Sequence, residues 1–119
     1  MKVTISKKFD FDAAHFLPKV PEGHKCRRLH GHTYVVEIIC AGEVDEHGMV
    51  LDYAEIATAW QPLHDLLDHR CLNDIVDLEN PTTEILAPYI LNRLEPVLDS
   101  LVAVKVYESS TTWCEARKP

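Results

Sequence analysis

"CRRLHGHTYVVEIIC", residues 26–40, joins a cysteine, two histidines separated by one glycine, and an apolar run closed by a second cysteine. Side chains alternate faces along a β-strand, so in an extended chain His30 and His32 point the same way with Gly31 between them. Residues two apart stand roughly 6.6–6.8 Å apart at Cα, and two imidazoles leaning inward from that separation reach one ion at about 2.0–2.1 Å. The run that follows decides the architecture. From Thr33 to Ala41 both parities are largely apolar, Tyr34, Val36, Ile38 and Cys40 against Val35, Ile39 and Ala41. That is the pattern of a strand covered on both faces, by its own helices on one and by something else on the other.

Outward from this strand, Val3, Ile5, Phe9 and Phe11 share a parity, with Lys7 the exception, so residues 2–11 read as a first strand leading into "DAAHF" and His15. "GEVDEHGM" supplies turn chemistry, and the spacing of Asp52 to Glu55 resembles a capping box. Tyr53, Ile56, Ala57, Trp60, Leu63, His64 and Leu67 then follow helical spacing, and Pro62 should kink or divide that helix. "LDHRCLND" reads as a loop. A second helix starts in "ENPTTE", with Asn80 as cap and Pro81 at the first helical position, and Pro88 and Pro96 bound its regular part. "LVAVKVYE" and "TTWCEAR" form two last strands joined at Ser109-Ser110. The order ββααββ predicts an α+β fold, a four-stranded antiparallel sheet with two helices on one face. At 119 residues the chain fits one domain, residues 1–119.

Lys plus Arg total 12 against 19 for Asp plus Glu, a net charge of −7 without a basic stripe, which argues against a nucleic-acid partner. No stretch approaches the roughly 18 apolar residues of a membrane span, and the N-terminus alternates polar with apolar, so a cytoplasmic protein is expected. In that setting Cys26, Cys40, Cys71 and Cys114 are reduced thiols open to metal or catalytic roles.

A third partner for His30 and His32 is available in His15, because an antiparallel first hairpin brings the end of one strand beside the start of the next. Three histidines leave a coordination position free, as in a catalytic zinc site. Two other readings stand beside this: His-Gly-His as polar chemistry at a strand start, and a closed structural cage with Cys26 as fourth ligand. Glu108 continues the apolar face of Val102, Val104 and Val106, which is costly unless the carboxylate is partnered; it also suits an exposed hairpin turn.

"FDAAHFLP", "PEGHKCRRLHGH", "LDHRCLND", "LENPTTE" and "VYESST" occur in the order seen in the 6-pyruvoyl-tetrahydropterin synthase family, and the chain resembles that family over almost its whole length. The interval from Cys26 to His30 is most similar to the carboxy-forming bacterial branch that serves queuosine synthesis. The resemblance implies Zn2+ on His15, His30 and His32, and 7,8-dihydroneopterin triphosphate as substrate. It implies Cys26 as proton-abstracting base, supported by Asp68 and His69, and Glu108 as anchor of the pterin. The implied products are 6-carboxy-5,6,7,8-tetrahydropterin, acetaldehyde and triphosphate, with the pyruvoyl-forming reaction as the alternative. Lys25, Arg27 and Arg28 would attract the triphosphate, or else belong to a solvated loop. The implied fold is the tunnelling fold, in which subunits join sheets into a barrel, typically a hexamer built as a dimer of trimers.

Overall fold

Two 14-residue strands, β1 (Lys2–His15) and β2 (His30–Glu43), pair antiparallel along their full length, from Lys2 opposite Glu43 to His15 opposite His30. Fourteen residues at about 3.4 Å each span close to 48 Å, and the molecule measures 56 × 23 × 23 Å in the computed structural model, which describes residues 1–119. After β2 come α1 (Tyr53–Leu67), the short β3 (Arg70–Cys71), α2 (Thr83–Leu94), β4 (Leu101–Tyr107) and β5 (Trp113–Arg117). The sheet order is β3-β1-β2-β4-β5.

The sheet thus has five strands where the sequence pattern predicts four. β3 runs parallel to the end of β1, with Ala13 opposite Arg70 and Ala14 opposite Cys71. A two-residue strand has no alternation to read, so "LDHRCLND" looked like plain loop. The first strand also runs on to His15 instead of stopping at residue 11.

Alternation along β1, β2 and β4 sends Phe11, Tyr34, Val36, Ile38, Cys40, Val104 and Val106 into one core with the buried stripes of both helices, Ile56, Trp60, Leu63 and Leu67 on α1 and Leu86, Ile90 and Leu94 on α2. Each fully buried Leu or Ile contributes about 1.5–3 kcal/mol of transfer free energy. Phe11 stacks on Tyr34 at 5.0 Å between ring centroids, and Phe9 on Trp60 at 5.6 Å. The other face of β2 carries Val35, Glu37, Ile39 and Ala41, all half-buried. The helices cover one face only. Across the open face Lys8, Glu37, Lys105 and Glu115 stand directly opposite one another in alternating charge, which favours this register over a one-residue slip.

Asp52 caps α1 as the spacing predicted: its carboxylate accepts from Ala54 N–H at 2.8 Å, and Glu55 reaches back to the Asp52 N–H. Pro62 does not divide this helix. It lies on the exposed face, where only the bond to the Thr58 carbonyl is forgone. Pro88 likewise sits inside α2, exposed, and does not bound it. The start of α2 is also corrected: Thr82 is the N-cap, so Asn80 and Pro81 precede the helix. Pro81 is buried, and its carbonyl has another use.

Candidate metal and catalytic site

The β1–β2 register puts His30 opposite His15 and His32 opposite Ala13, so three imidazoles meet on the core side of one sheet end. Their ring centroids form a near-equilateral triangle of 4.6, 5.0 and 5.0 Å, and one nitrogen of each lies within 4.8 Å of the others. His15 is 1% exposed.

Their outer nitrogens define the chemistry. His15 Nδ1 stands 2.9 Å from the Pro81 carbonyl, and His30 Nδ1 stands 2.7 Å from that of Arg28. A carbonyl can only accept, so each Nδ1 carries the proton and each Nε2 keeps a lone pair. The two Nε2 atoms nevertheless face each other at 3.1 Å, two acceptors with no proton between them. His32 Nε2 is buried in the same place without a hydrogen-bond partner. Two lone pairs and an unpartnered third ring nitrogen converging at this spacing suit a cation: tetrahedral ligands at 2.0–2.1 Å stand about 3.3 Å apart. Burial lowers the pKa of both His15 and His32, which favours their neutral, metal-binding forms. His15, His30 and His32 could therefore hold a metal ion, with carbonyls fixing the tautomer of two of them. Cys26 is not part of the cluster, and the four-ligand cage finds no geometry here.

Glu108 follows β4, and its Oε1 approaches His32 Nε2 to 3.4 Å with the carboxyl about a third exposed. It is thus a carboxylate at the rim of the cluster, reachable from solvent.

Asp68 and His69 lie directly after α1. β3 draws this segment onto the end of β1: His69 N–H donates to the Asp12 carbonyl at 2.6 Å, and Asp12 N–H donates to Asp68 Oδ1 at 2.9 Å. The other oxygen, Oδ2, accepts from His69 Nδ1 at 2.8 Å. The Asp12 backbone bond and the His69 contact hold the Asp68 carboxyl below its ordinary pKa, and Asp68 raises that of His69. His69 adopts φ +58°, a left-handed conformation that costs a residue with a Cβ roughly 1–2 kcal/mol. The flanking hydrogen bonds offset that cost and aim the imidazole outward, 78% exposed. A cavity of about 570 Å³ is lined by His32 and His69 together with Asp12, Thr33 and Cys71. Of the three cluster histidines only His32 reaches this lining; Asp12, Ala14, Gly31 and Thr33, which share it with His69, have the strand parity that faces away from the core side on which the imidazoles meet.

Cys26 sits in a single 3-10 turn, Lys25–Arg27, half-buried and outside the lining of that cavity. His24 Nδ1 accepts the Cys26 N–H at 3.1 Å, and the Cys26 carbonyl accepts from Leu17 N–H at 2.8 Å. Arg27 donates to the carbonyls of Pro18 and Val20, so this member of the basic cluster folds the loop. For His24 and His64 the sequence offers no convincing site partner. His64 Nε2 is 3.8 Å from Asp68 Oδ2, and its i,i+4 spacing to Asp68 was the available signal. The Pro81 and Arg28 carbonyls left no such signal, because a backbone acceptor carries no residue identity.

The chain matches the 6-pyruvoyl tetrahydropterin synthase family over residues 4–119. It is 41% identical over 115 residues to the 6-carboxy-5,6,7,8-tetrahydropterin synthase of Synechocystis, covering 91% of this chain and 88% of that one. It is 38% identical to the dihydroneopterin monophosphate aldolase of Pyrococcus furiosus, covering 88% and 86%. The solved 6-pyruvoyl tetrahydropterin synthase of Caenorhabditis elegans superposes with a TM-score of 0.91 at 29% identity, over 100% of this chain and 97% of the other. On this match across nearly its whole length, the chain belongs to the 6-pyruvoyl tetrahydropterin synthase family.

Proposed function

We propose that the chain, acting as one pterin-synthase domain over residues 1–119, is a zinc-dependent carbon–oxygen and carbon–carbon lyase. It converts 7,8-dihydroneopterin triphosphate and water into 6-carboxy-5,6,7,8-tetrahydropterin, acetaldehyde and triphosphate. The observation that carries this reading is the convergence of a ring nitrogen from each of His15, His30 and His32 at one end of the sheet, in a chain 41% identical over 115 residues to a protein of that name.

His15, His30 and His32 hold Zn2+, which when bound acts as a Lewis acid toward the side-chain hydroxyls of the pterin. Cys26 removes a carbon-bound proton. Asp68 orients His69 and, by its hydrogen bond and charge, raises the pKa of that imidazole, which favours the protonated form. Glu108 grips the planar N–H donors of the pterin in bidentate fashion. The electrons stay within the substrate, because the ring gains the reduction that the cleaved side chain gives up as it becomes a carboxylate.

The protein acts in the cytoplasm, in queuosine biosynthesis. None of its helices is long and apolar enough to cross a membrane. The half-buried open face of β2 supports assembly of sheets into a tunnelling-fold barrel, a hexamer built as a dimer of trimers. Incubation of the purified protein with dihydroneopterin triphosphate tests the reading: acetaldehyde should appear in step with triphosphate, without nicotinamide or flavin. Formation of 6-pyruvoyltetrahydropterin without acetaldehyde would move it to the sister activity. The relative from Pyrococcus furiosus supports a second reading, cleavage of dihydroneopterin monophosphate. Turnover of the monophosphate with none of the triphosphate would establish that one instead.

A further inference from the structure

Asn73 lies two residues beyond β3, in the 3-10 turn Leu72–Asp74. Its carboxamide behaves as a piece of strand backbone. Oδ1 accepts from Phe16 N–H at 3.0 Å, and Nδ2 donates to the Phe16 carbonyl at 2.8 Å. The same Nδ2 also donates to the Glu79 carbonyl at 3.3 Å. Phe16 directly follows His15. Glu79 stands two residues before Pro81, whose carbonyl receives the His15 Nδ1–H.

One amide therefore ties the end of the strand that carries His15 to the segment that fixes the ring of His15. The job requires a donor and an acceptor on one short planar group: aspartate has no donor, serine lacks the span, and an apolar residue supplies neither. Without the tie, the packing of buried Leu78 and Pro81 still holds the 75–81 segment, and a small shift of its backbone is no longer opposed by a hydrogen bond that links it to the end of β1. The Pro81 carbonyl would go with it, leaving His15 Nδ1 near Tyr34 Oη, 3.2 Å away, a hydroxyl that can accept or donate and so does not fix the tautomer.

We propose that Asn73 is a positioning residue for the histidine cluster: it sets the Pro81 carbonyl against His15 and thereby holds the His15 Nε2 lone pair toward His30 and His32. The inference rests on the reading of that cluster as a metal site, and it assigns the first block after α1 a second task besides presenting Asp68 and His69. Partners that orient a metal-binding histidine typically contribute 10–100-fold to metal affinity.

Asn73→Ala and Asn73→Asp test it in two measurements; the aspartate keeps the acceptor for Phe16 N–H and should fold where alanine does not. In the metal-free protein, long-range proton–nitrogen NMR of the imidazoles should show His15 in the Nδ1–H tautomer in the parent and mixed tautomers in the variants. In competition with a chromophoric chelator, zinc should bind the variants about 10–100-fold more weakly. Leu98→Ala is the control, because Leu98 packs in the core near the start of β4, at the other end of the sheet, where Leu101 pairs with Cys40. It should lower the unfolding temperature while leaving the His15 tautomer and zinc affinity unchanged. An unaltered His15 tautomer in both Asn73 variants overturns the inference, and so does an equal loss of zinc affinity in Leu98→Ala at matched thermal stability. A parent protein that takes no zinc would refute the metal reading, and the tautomer comparison would still decide the role of Asn73.

Discussion

The histidine cluster and the Asp68–His69 pair lie at the same end of the sheet and are built in opposite ways. The cluster is set by strand register: His15, His30 and His32 project from two paired strands, one of them is 1% exposed, and two are pinned by carbonyls. The pair hangs on a loop, with His69 in a left-handed conformation and 78% exposed. Cys26 is likewise on a short turn between strands. Rigid backbone thus carries the groups that must converge on one point to within a fraction of an ångström, and loops carry the groups proposed to move protons. A metal centre demands converging lone pairs at fixed separation, whereas a proton carrier needs access and a tuned pKa.

The sharpest way to break this contrast is to remove a register-held ligand. His32→Ala should reduce zinc from about one per chain to near zero and abolish turnover, because two histidines without a third do not make a stable site. The sheet should survive, since β2 keeps its remaining pairs with β1 and β4. Elemental analysis of chelator-treated, zinc-reloaded protein is the check; retention of full metal content would show that the cluster does not hold it.

Changes to the loop-held groups should have the reverse signature. Cys26→Ala and His69→Ala should each lose about 10²–10⁴ in kcat, the usual contribution of a positioned acid or base, with zinc content unchanged. Metal lost along with Cys26 would revive the four-ligand cage and erase the contrast. Thermal unfolding of His69→Ala should be little altered, because an exposed imidazole buries almost nothing. His69→Gly relieves the positive φ and should be the more stable of the two.

Smaller still is the expected effect of Glu108, at the rim of the histidine cluster. Its carboxylate stands 3.4 Å from His32 Nε2 without forming a hydrogen bond, so Glu108→Ala should spare the metal. A hydrogen bond to a charged group is worth about 1.5–3 kcal/mol, which corresponds to roughly 10–150-fold weaker pterin binding. Calorimetric titration with a pterin analogue reads this directly, and unchanged affinity would remove Glu108 from the pterin pocket.

The same division explains what could be read from the sequence. Side-chain alternation marks β1, a run apolar on both parities marks β2, and the hairpin argument brings His15 to His30 from sequence alone, because a period of two is a direct consequence of strand geometry. The capping box of Asp52 and Glu55 was equally plain. β3 escaped because two residues have no period, and its absence left the position of His69 undetermined. The start of α2 was misplaced because Asn-Pro suits a helix entry chemically, while the buried Pro81 serves His15 instead. Asn73 was likewise invisible, since its partners are backbone atoms of residues far away in the chain.

The finest test separates the two halves of the Asp-His pair by charge alone. Asp68 is held below its ordinary pKa of 3.8 and His69 above 6.5, and His64, 3.8 Å from the carboxylate, adds to the pull on Asp68. For His69 the raised value means that its contribution is complete below pH 6.5 and is lost as pH rises through the raised pKa. For Asp68 the depressed value means that its contribution is complete above the ordinary carboxylate value and is lost as pH falls through the depressed pKa. The interaction is therefore at full strength between about pH 4 and 6.5. Asp68→Asn keeps an oxygen for Asp12 N–H but removes the negative charge, so the His69 titration followed by NMR should fall back toward 6.5. The limb of the activity profile governed by His69 should move to lower pH with it, while zinc affinity stays fixed. A His69 titration that does not move would show that the imidazole takes its character from solvent, and the loop would then present a histidine without tuning it.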